Sequence, residues 1–146
     1  MEYKIALSKA QKYCAYQERC HKEIREKLST WKILPEPADD IIAQLIKDNY
    51  LNEERFALTF AGGKFRIKKW GRIKIRLELE KKKISAYCIK QALEAIEEKS
   101  YLQTLDQLLK VRAKSIKQLN PIQRSYAIGQ YAISRGFEPE LVWERV

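Results

Sequence analysis

An internal repeat of 51 residues constrains this chain more than any other feature. Ala6, Leu7 and Ala10 return as Ala57, Leu58 and Ala61, Ile24-Arg25 returns as Ile75-Arg76, and Leu28 as Leu79. Tyr50-Leu51-Asn52-Glu53 recurs at the same offset as Tyr101-Leu102-Gln103-Thr104. A weaker third copy sets Arg135-Gly136-Phe137 where Lys82-Lys83-Ile84 stands, at an offset of 53. A period near 50 holding about three helices implies stacked supersecondary units that bury their apolar faces against their neighbours. A chain of 146 residues has room for three such units, with expected bounds near 1–49, 50–99 and 100–146. The expected fold is all-α: three tandem three-helix repeats in an elongated, curved array.

Local patterns agree with helices. Tyr3, Leu7, Ala10 and Cys14 fall at spacings of four, three and four, a stripe on one helical face. Ile24, Leu28 and Trp31 do the same, and Ala38, Ile41, Ile42, Leu45 and Ile46 form a broader face. Pro37, Pro121 and Pro139 suit first helical positions, where the missing N–H has no partner to lose. Asn52 can cap a helix whose first turn carries Glu53 and Glu54 at the positive end of the dipole. Leu51 and Phe56 can form a hydrophobic staple there, and Ile84, Ser85 and Ile89 repeat the arrangement. Phe137, Glu138 and Val142 repeat it again with a less favoured cap. Asn120 caps the helix that starts at Pro121, and Gly136 ends it in a left-handed conformation.

One stretch objects. Ile73, Ile75, Leu77 and Leu79 alternate with Lys74, Arg76, Glu78 and Glu80, which is a strand period. Its residue types favour helix, and Arg76–Glu80 and Lys74–Glu78 pair four apart on a helix surface. The repeat decides for helix, because the earlier copy, Ile24 to Leu28, has helical spacing only.

Composition excludes several classes. The chain is 45% hydrophobic and 33% charged with only five Gly and four Pro, which rules out collagen, disorder and low complexity. No apolar run reaches the length of a membrane span. Met1 leads directly into Glu2-Tyr3-Lys4 without an apolar leader, so a cytoplasmic location is expected. Three scattered cysteines suit a reducing compartment better than a disulfide framework.

The net charge is +10, and twenty residues hold most of it: residues 64–83 contain ten Lys and Arg against two acids. A positive field so focused points to a polyanionic partner, either nucleic acid or an acidic protein surface. Aromatics interleave with the cations. Trp70 can stack on a base or anchor the turn between two helices in the core. Catalytic chemistry is thin by contrast. His21 is the only histidine, and no nucleophile-elbow, metalloprotease or phosphate-loop motif is present. Gly62-Gly63 lacks a following Gly-Lys-Ser/Thr element and reads as a site of close packing or a bend. Cys14, Cys20 and His21 match no common zinc spacing, and the two cysteines sit on core-facing stripes. No cofactor or metal is expected, and no enzyme.

Tyr50-Leu51-Asn52-Glu53-Glu54-Arg55-Phe56-Ala57, then Trp70-Gly71-Arg72-Ile73-Lys74-Ile75-Arg76-Leu77-Glu78-Leu79, then Ile89-Lys90-Gln91-Ala92-Leu93 together resemble the central signature of the RecX family. Arg19-Cys20-His21-Lys22-Glu23-Ile24-Arg25-Glu26-Lys27-Leu28 resembles the family's N-terminal element. Three departures touch helix ends. Cys20 stands where Ser often caps, Lys83 replaces a Gly before an apolar residue, and Asn49 replaces the Gly before Tyr50-Leu51. The resemblance implies a cytoplasmic, non-catalytic protein of three three-helix repeats, and a monomer is expected. It also implies binding to the RecA recombinase and its filament on DNA, with restraint of filament growth and ATPase activity and at most weak direct DNA contact. The competing expectation is a stand-alone nucleic-acid-binding protein of helix-turn-helix type. Charge and repeat position, not a family site list, nominate Lys64, Arg66, Lys68, Lys69, Arg72, Lys74 and Arg76 as contact residues. Arg19, Lys22 and Arg25 form the related face of the first repeat.

Overall fold

The computed structural model describes residues 1–117 and 120–146. Within them the chain forms nine α-helices and no strand: α1 (Tyr3–Tyr16), α2 (His21–Thr30), α3 (Pro35–Lys47), α4 (Glu53–Lys68), α5 (Arg72–Lys81), α6 (Ala86–Glu94), α7 (Glu98–Ser115), α8 (Pro121–Ser134) and α9 (Pro139–Arg145). They group as three three-helix units. Local chemistry accounts for most of the starts. The side chains of Asn52, Ser85 and Asn120 accept the amides of Arg55, Cys88 and Gln123 at the heads of α4, α6 and α8. Pro121 and Pro139 open their helices as the sequence suggests, but α3 opens on Pro35, which places Pro37 in its first turn. At the head of α2 Cys20 and Glu23 form a capping box, in which the Glu23 side chain accepts the Cys20 amide at 3.0 Å and the Cys20 thiol faces the Glu23 amide.

The alternating stretch is α5. Only Ile75 and Leu79 enter the core, both fully buried, while Leu77 is exposed. Their repeat partners Ile24 and Leu28 are buried in the same way. Ala6, Ala10, Ala57 and Ala61 are likewise buried, small residues that let α1 and α4 pack closely against their neighbours. Gly62 and Gly63 do not serve that purpose. Only the flexible Arg66 guanidinium comes near Gly62, nothing lies near Gly63, and α4 runs through both to Lys68 without a break.

Four helices end in one shared pattern. Lys32 (φ 61°), Asn49 (φ 63°), Lys83 (φ 62°) and Gly136 (φ 100°) lie two residues past the ends of α2, α3, α5 and α8, in left-handed conformation. The next residue, Ile33, Tyr50, Ile84 or Phe137, donates its amide back to Leu28, Leu45, Leu79 or Ala132. This is the Schellman closure, in which the apolar residue after the turn folds back onto the helix. Glycine fills only one of the four positions.

Buried side chains form two clusters. One lies within α1–α3 and ends at Leu51. The other runs through α4–α9 and also takes in Cys20 from the first unit. Tyr101 joins the second and third units, its buried ring between Phe65 (5.7 Å) and Phe137 (5.1 Å). The match of Tyr101 to Tyr50 therefore does not hold in space. Tyr50 precedes a helix cap, whereas Tyr101 is the fourth residue of α7, the place Phe56 takes in α4.

Candidate partner-binding surface

The nominated cations have several local settings. Lys64 and Lys74 converge on Trp70, their ammonium groups 5.0 and 4.7 Å from the ring centre. Trp70 itself is half-buried against the core, edge-on to Phe60 at 6.4 Å. Both faces of the sequence expectation meet here: the indole anchors the turn, and cations crowd its surface. Lys69 is in left-handed conformation at the end of α4, with Nζ donating to the Arg66 carbonyl at 2.7 Å. Arg66 lines a cleft with Leu58, Ala92 and Ile96, and Arg76 lines another with Glu94, Glu97 and Glu98. Arg66, Lys68, Lys69 and Arg76 are exposed.

Arg72 is engaged inside the protein. Its guanidinium donates to Glu138 at 2.8 Å and to Glu98, and lies 3.7 Å over the Tyr101 ring. The Arg72 amide donates to the Tyr101 hydroxyl at 3.0 Å, and that hydroxyl donates to Glu138. Burial, then the acceptor Glu138, push the Tyr101 phenol well above its ordinary range. For Arg72 burial works against the charge, but the hydrogen bonds to Glu138 and Glu98 outweigh it and raise its pKa. This network clamps the second unit to the third.

In the first unit, Arg19 stacks 3.7 Å from the Tyr13 ring and donates to the Tyr13 carbonyl. Lys22 pairs with Glu26 and Arg25 with Asp39, each at 2.7 Å and both exposed. Pairs this open to water contribute little, so an anionic partner can exchange for either carboxylate at small cost.

Three cations outside the nominated set join these sites. Lys82 sits 5.8 Å from the Phe60 ring and bonds Glu23 at 3.0 Å, bridging the first and second units. It belongs to the basic run, so charge counting alone could have found it. Arg112 and Arg135 share a groove with Lys69, and only the tertiary packing of α7 and α8 brings them there. The thiols of Cys14 and Cys20 pack as core residues, and burial pushes Cys14 up to about 11 and Cys20 upwards as well. Among the described residues no cluster of His, Cys, Asp and Glu is placed to hold a metal ion, and no helix is long and apolar enough to cross a membrane.

Fold and surface define an all-α array of three-helix units that offers cations at its joints and along its exposed faces. Family models for RecX match two of those units, the first three-helix domain at residues 6–45 and the second at residues 52–93. Together they span more than half of the chain, which belongs to the RecX family. The regulatory protein RecX of Bacillus cytotoxicus is 21% identical over 141 residues, 97% of this chain and 52% of that protein. That of Lactobacillus gasseri is 31% identical over 97 residues, 66% of this chain and 36% of that protein. The chain thus spans about half the length, or less, of the curated relatives it matches. The crystal structure of RecX from Lactobacillus salivarius aligns at a TM-score of 0.87 and 22% identity, covering 97% of this chain and 92% of that one. A second crystal structure of regulatory protein RecX aligns at 0.87 and 19% identity, covering 95% and 68%. These likenesses establish the fold.

Proposed function

We propose that this chain is a non-enzymatic, cytoplasmic regulator that binds the RecA filament on DNA as a monomer and restrains its growth and ATPase activity. The observation that carries this reading is the match of two successive RecX three-helix domains, in order, over one continuous helical array. Surface chemistry supports it. Exposed cations recur in successive units, at Lys22 and Arg25 in the first and at Arg66, Lys68, Lys69 and Arg76 in the second. An array that spreads charge this way suits a long, repeating anionic partner better than a small substrate, and charge complementarity speeds such association.

The test is RecA's DNA-dependent ATP hydrolysis titrated with the full chain. Hydrolysis falls at substoichiometric amounts if the reading holds, and no change across the titration overturns it. The site assignment is tested with Lys68→Glu, Lys69→Glu and Arg76→Glu combined, leaving Arg72 intact because it holds two units together. That variant keeps its helicity and loses inhibition. Retained inhibition removes these residues from the contact surface. Binding to naked DNA at two salt concentrations separates a stand-alone DNA reader, which binds tightly and selectively, from a filament regulator, whose DNA contact is weak and steeply salt-dependent.

A further inference from the structure

A large cavity opens in the third unit, beside Lys69 of the basic run. It is a groove of about 850 Å³ between α7, α8 and the end of α4. Leu108 and Val111 of α7 give it an aliphatic floor, and Lys69, Arg112 and Arg135 set three cations around it, with no acidic side chain among the described lining residues. Val111 is 55% exposed, an apolar side chain in the open. Arg135 is anchored through a bond to the Lys68 carbonyl, yet its Nε is buried without a partner. Among the described lining residues no carboxylate neutralises these charges.

The lining distinguishes between two anionic occupants. A single nucleic-acid strand needs aromatic faces on which bases stack. The one aromatic ring among the described lining residues, Tyr131, is already covered by the Arg112 guanidinium at 4.4 Å. An aliphatic floor ringed by cations fits instead a peptide whose apolar side chains point down and whose carboxylates point out to the rim, with Arg and Lys supplying charge-assisted bonds. We propose that the α7–α8 groove is a docking site for an acidic, leucine-bearing peptide segment of a partner protein. The site meets the exposed cations of the second unit at Lys69 alone and does not require that the partner be RecA.

The test uses the full chain, labelled with nitrogen-15, and a synthetic peptide built of Glu-Glu-Leu repeats, with no RecA present. The peptide shifts the amides of Val111, Arg112 and Tyr131. Its Gln-for-Glu counterpart binds about tenfold more weakly or worse, as loss of charge-assisted contacts requires. Val111→Glu and Gln107→Glu, both at exposed positions, each weaken the peptide by a similar factor. Two variants are used so that misfolding of one, visible in its own spectrum, leaves the other to decide. Absence of binding, shifts confined to other residues, or equal affinity for the Gln peptide overturns the proposal. An oligothymidylate that shifts the same amides and displaces the peptide also overturns it, in favour of nucleic acid. Since RecA is absent, failure here leaves the filament reading standing, and failure of the ATPase titration leaves the groove standing.

Discussion

The Gly71 amide donates to the Arg135 carbonyl at 2.9 Å, so the α4–α5 turn of the second unit is stitched by backbone to the α8–α9 turn of the third. The Ile73 amide follows, donating to Gly136 at 3.0 Å. The joint between the first and second units uses the same places in the repeat with different chemistry. There Cys20 takes the position of Gly71, and Lys82 reaches from the α5–α6 turn to Glu23 at 3.0 Å. At this place in the repeat one joint makes backbone contact and the other a side-chain ion pair.

The backbone joint tolerates no side chain. A Cβ on Gly71 would lie 2.3 Å from the Gly136 carbonyl and the Phe137 nitrogen, and the opposing atoms are main chain that cannot swing away. Gly71→Ala therefore destabilises the protein by about 1–3 kcal/mol, the usual cost of overpacking. Urea unfolding measures it, and hydrogen exchange at Ile73 reports loss of this joint specifically. Unchanged stability and exchange would show that the two turns are not in contact.

The ion-pair joint carries a pH signature. Burial pushes the Glu23 carboxyl up, but the Cys20 amide and the Lys82 ammonium outweigh it, and its net pKa lies below the ordinary glutamate value. A carboxyl depressed in the folded state adds stability above its unfolded pKa of about 4.3 and loses it as pH falls through the folded value. Glu23→Gln should flatten that acid limb and leave the rest of the profile parallel to the parent. Thermal melts across the acid range test this, and an unchanged acid limb counts against the joint.

Tyr101 occupies the centre of the clamp between units two and three. Tyr101→Phe keeps the ring contacts with Phe65 and Phe137 but removes the hydroxyl that accepts from the Arg72 amide and donates to Glu138. Leaving those half-buried partners unsatisfied costs about 1–3 kcal/mol, or a fall in Tm of roughly 2–4 °C per kcal/mol for a chain of this size. A change within error would mean that water replaces the hydroxyl without loss.

Much of this architecture was legible in the residues. Helix type followed from spacing, and the 51-residue offset correctly turned an alternating stretch into α5, because Ile75 and Leu79 do what Ile24 and Leu28 do. The offset failed at Tyr101 because the third unit starts early: Glu97 caps α7 only two residues after Ala95 ends α6. Similarity of two Tyr-Leu pairs carried no information about helix register. The candidate surface was less legible. Charge counting finds cations but not their carboxylate partners, so Arg72 looked available while Glu98 and Glu138, distant in sequence, held it. Arg112 and Arg135 sit in stretches of ordinary charge, and only packing of α7 on α8 brings them beside Lys69.

The shared helix endings yield a prediction with opposite signs at two equivalent positions. Lys83 and Gly136 both close a Schellman turn in left-handed conformation. For a residue with a Cβ that conformation costs roughly 1–2 kcal/mol, whereas glycine adopts it freely. Lys83 is exposed, so Lys83→Gly removes the strain without disturbing a contact. The greater freedom of glycine in the unfolded chain returns about 0.4–1 kcal/mol of that, leaving a net gain between about zero and about 1.6 kcal/mol. Gly136→Ala runs the other way, because φ there is 100° and the new Cβ would meet Lys74 Cβ at 2.4 Å. Side-by-side urea unfolding of the two variants decides the matter. A loss of stability in Lys83→Gly would show that the lysine side chain holds the α5–α6 turn by a contact that outweighs its backbone strain.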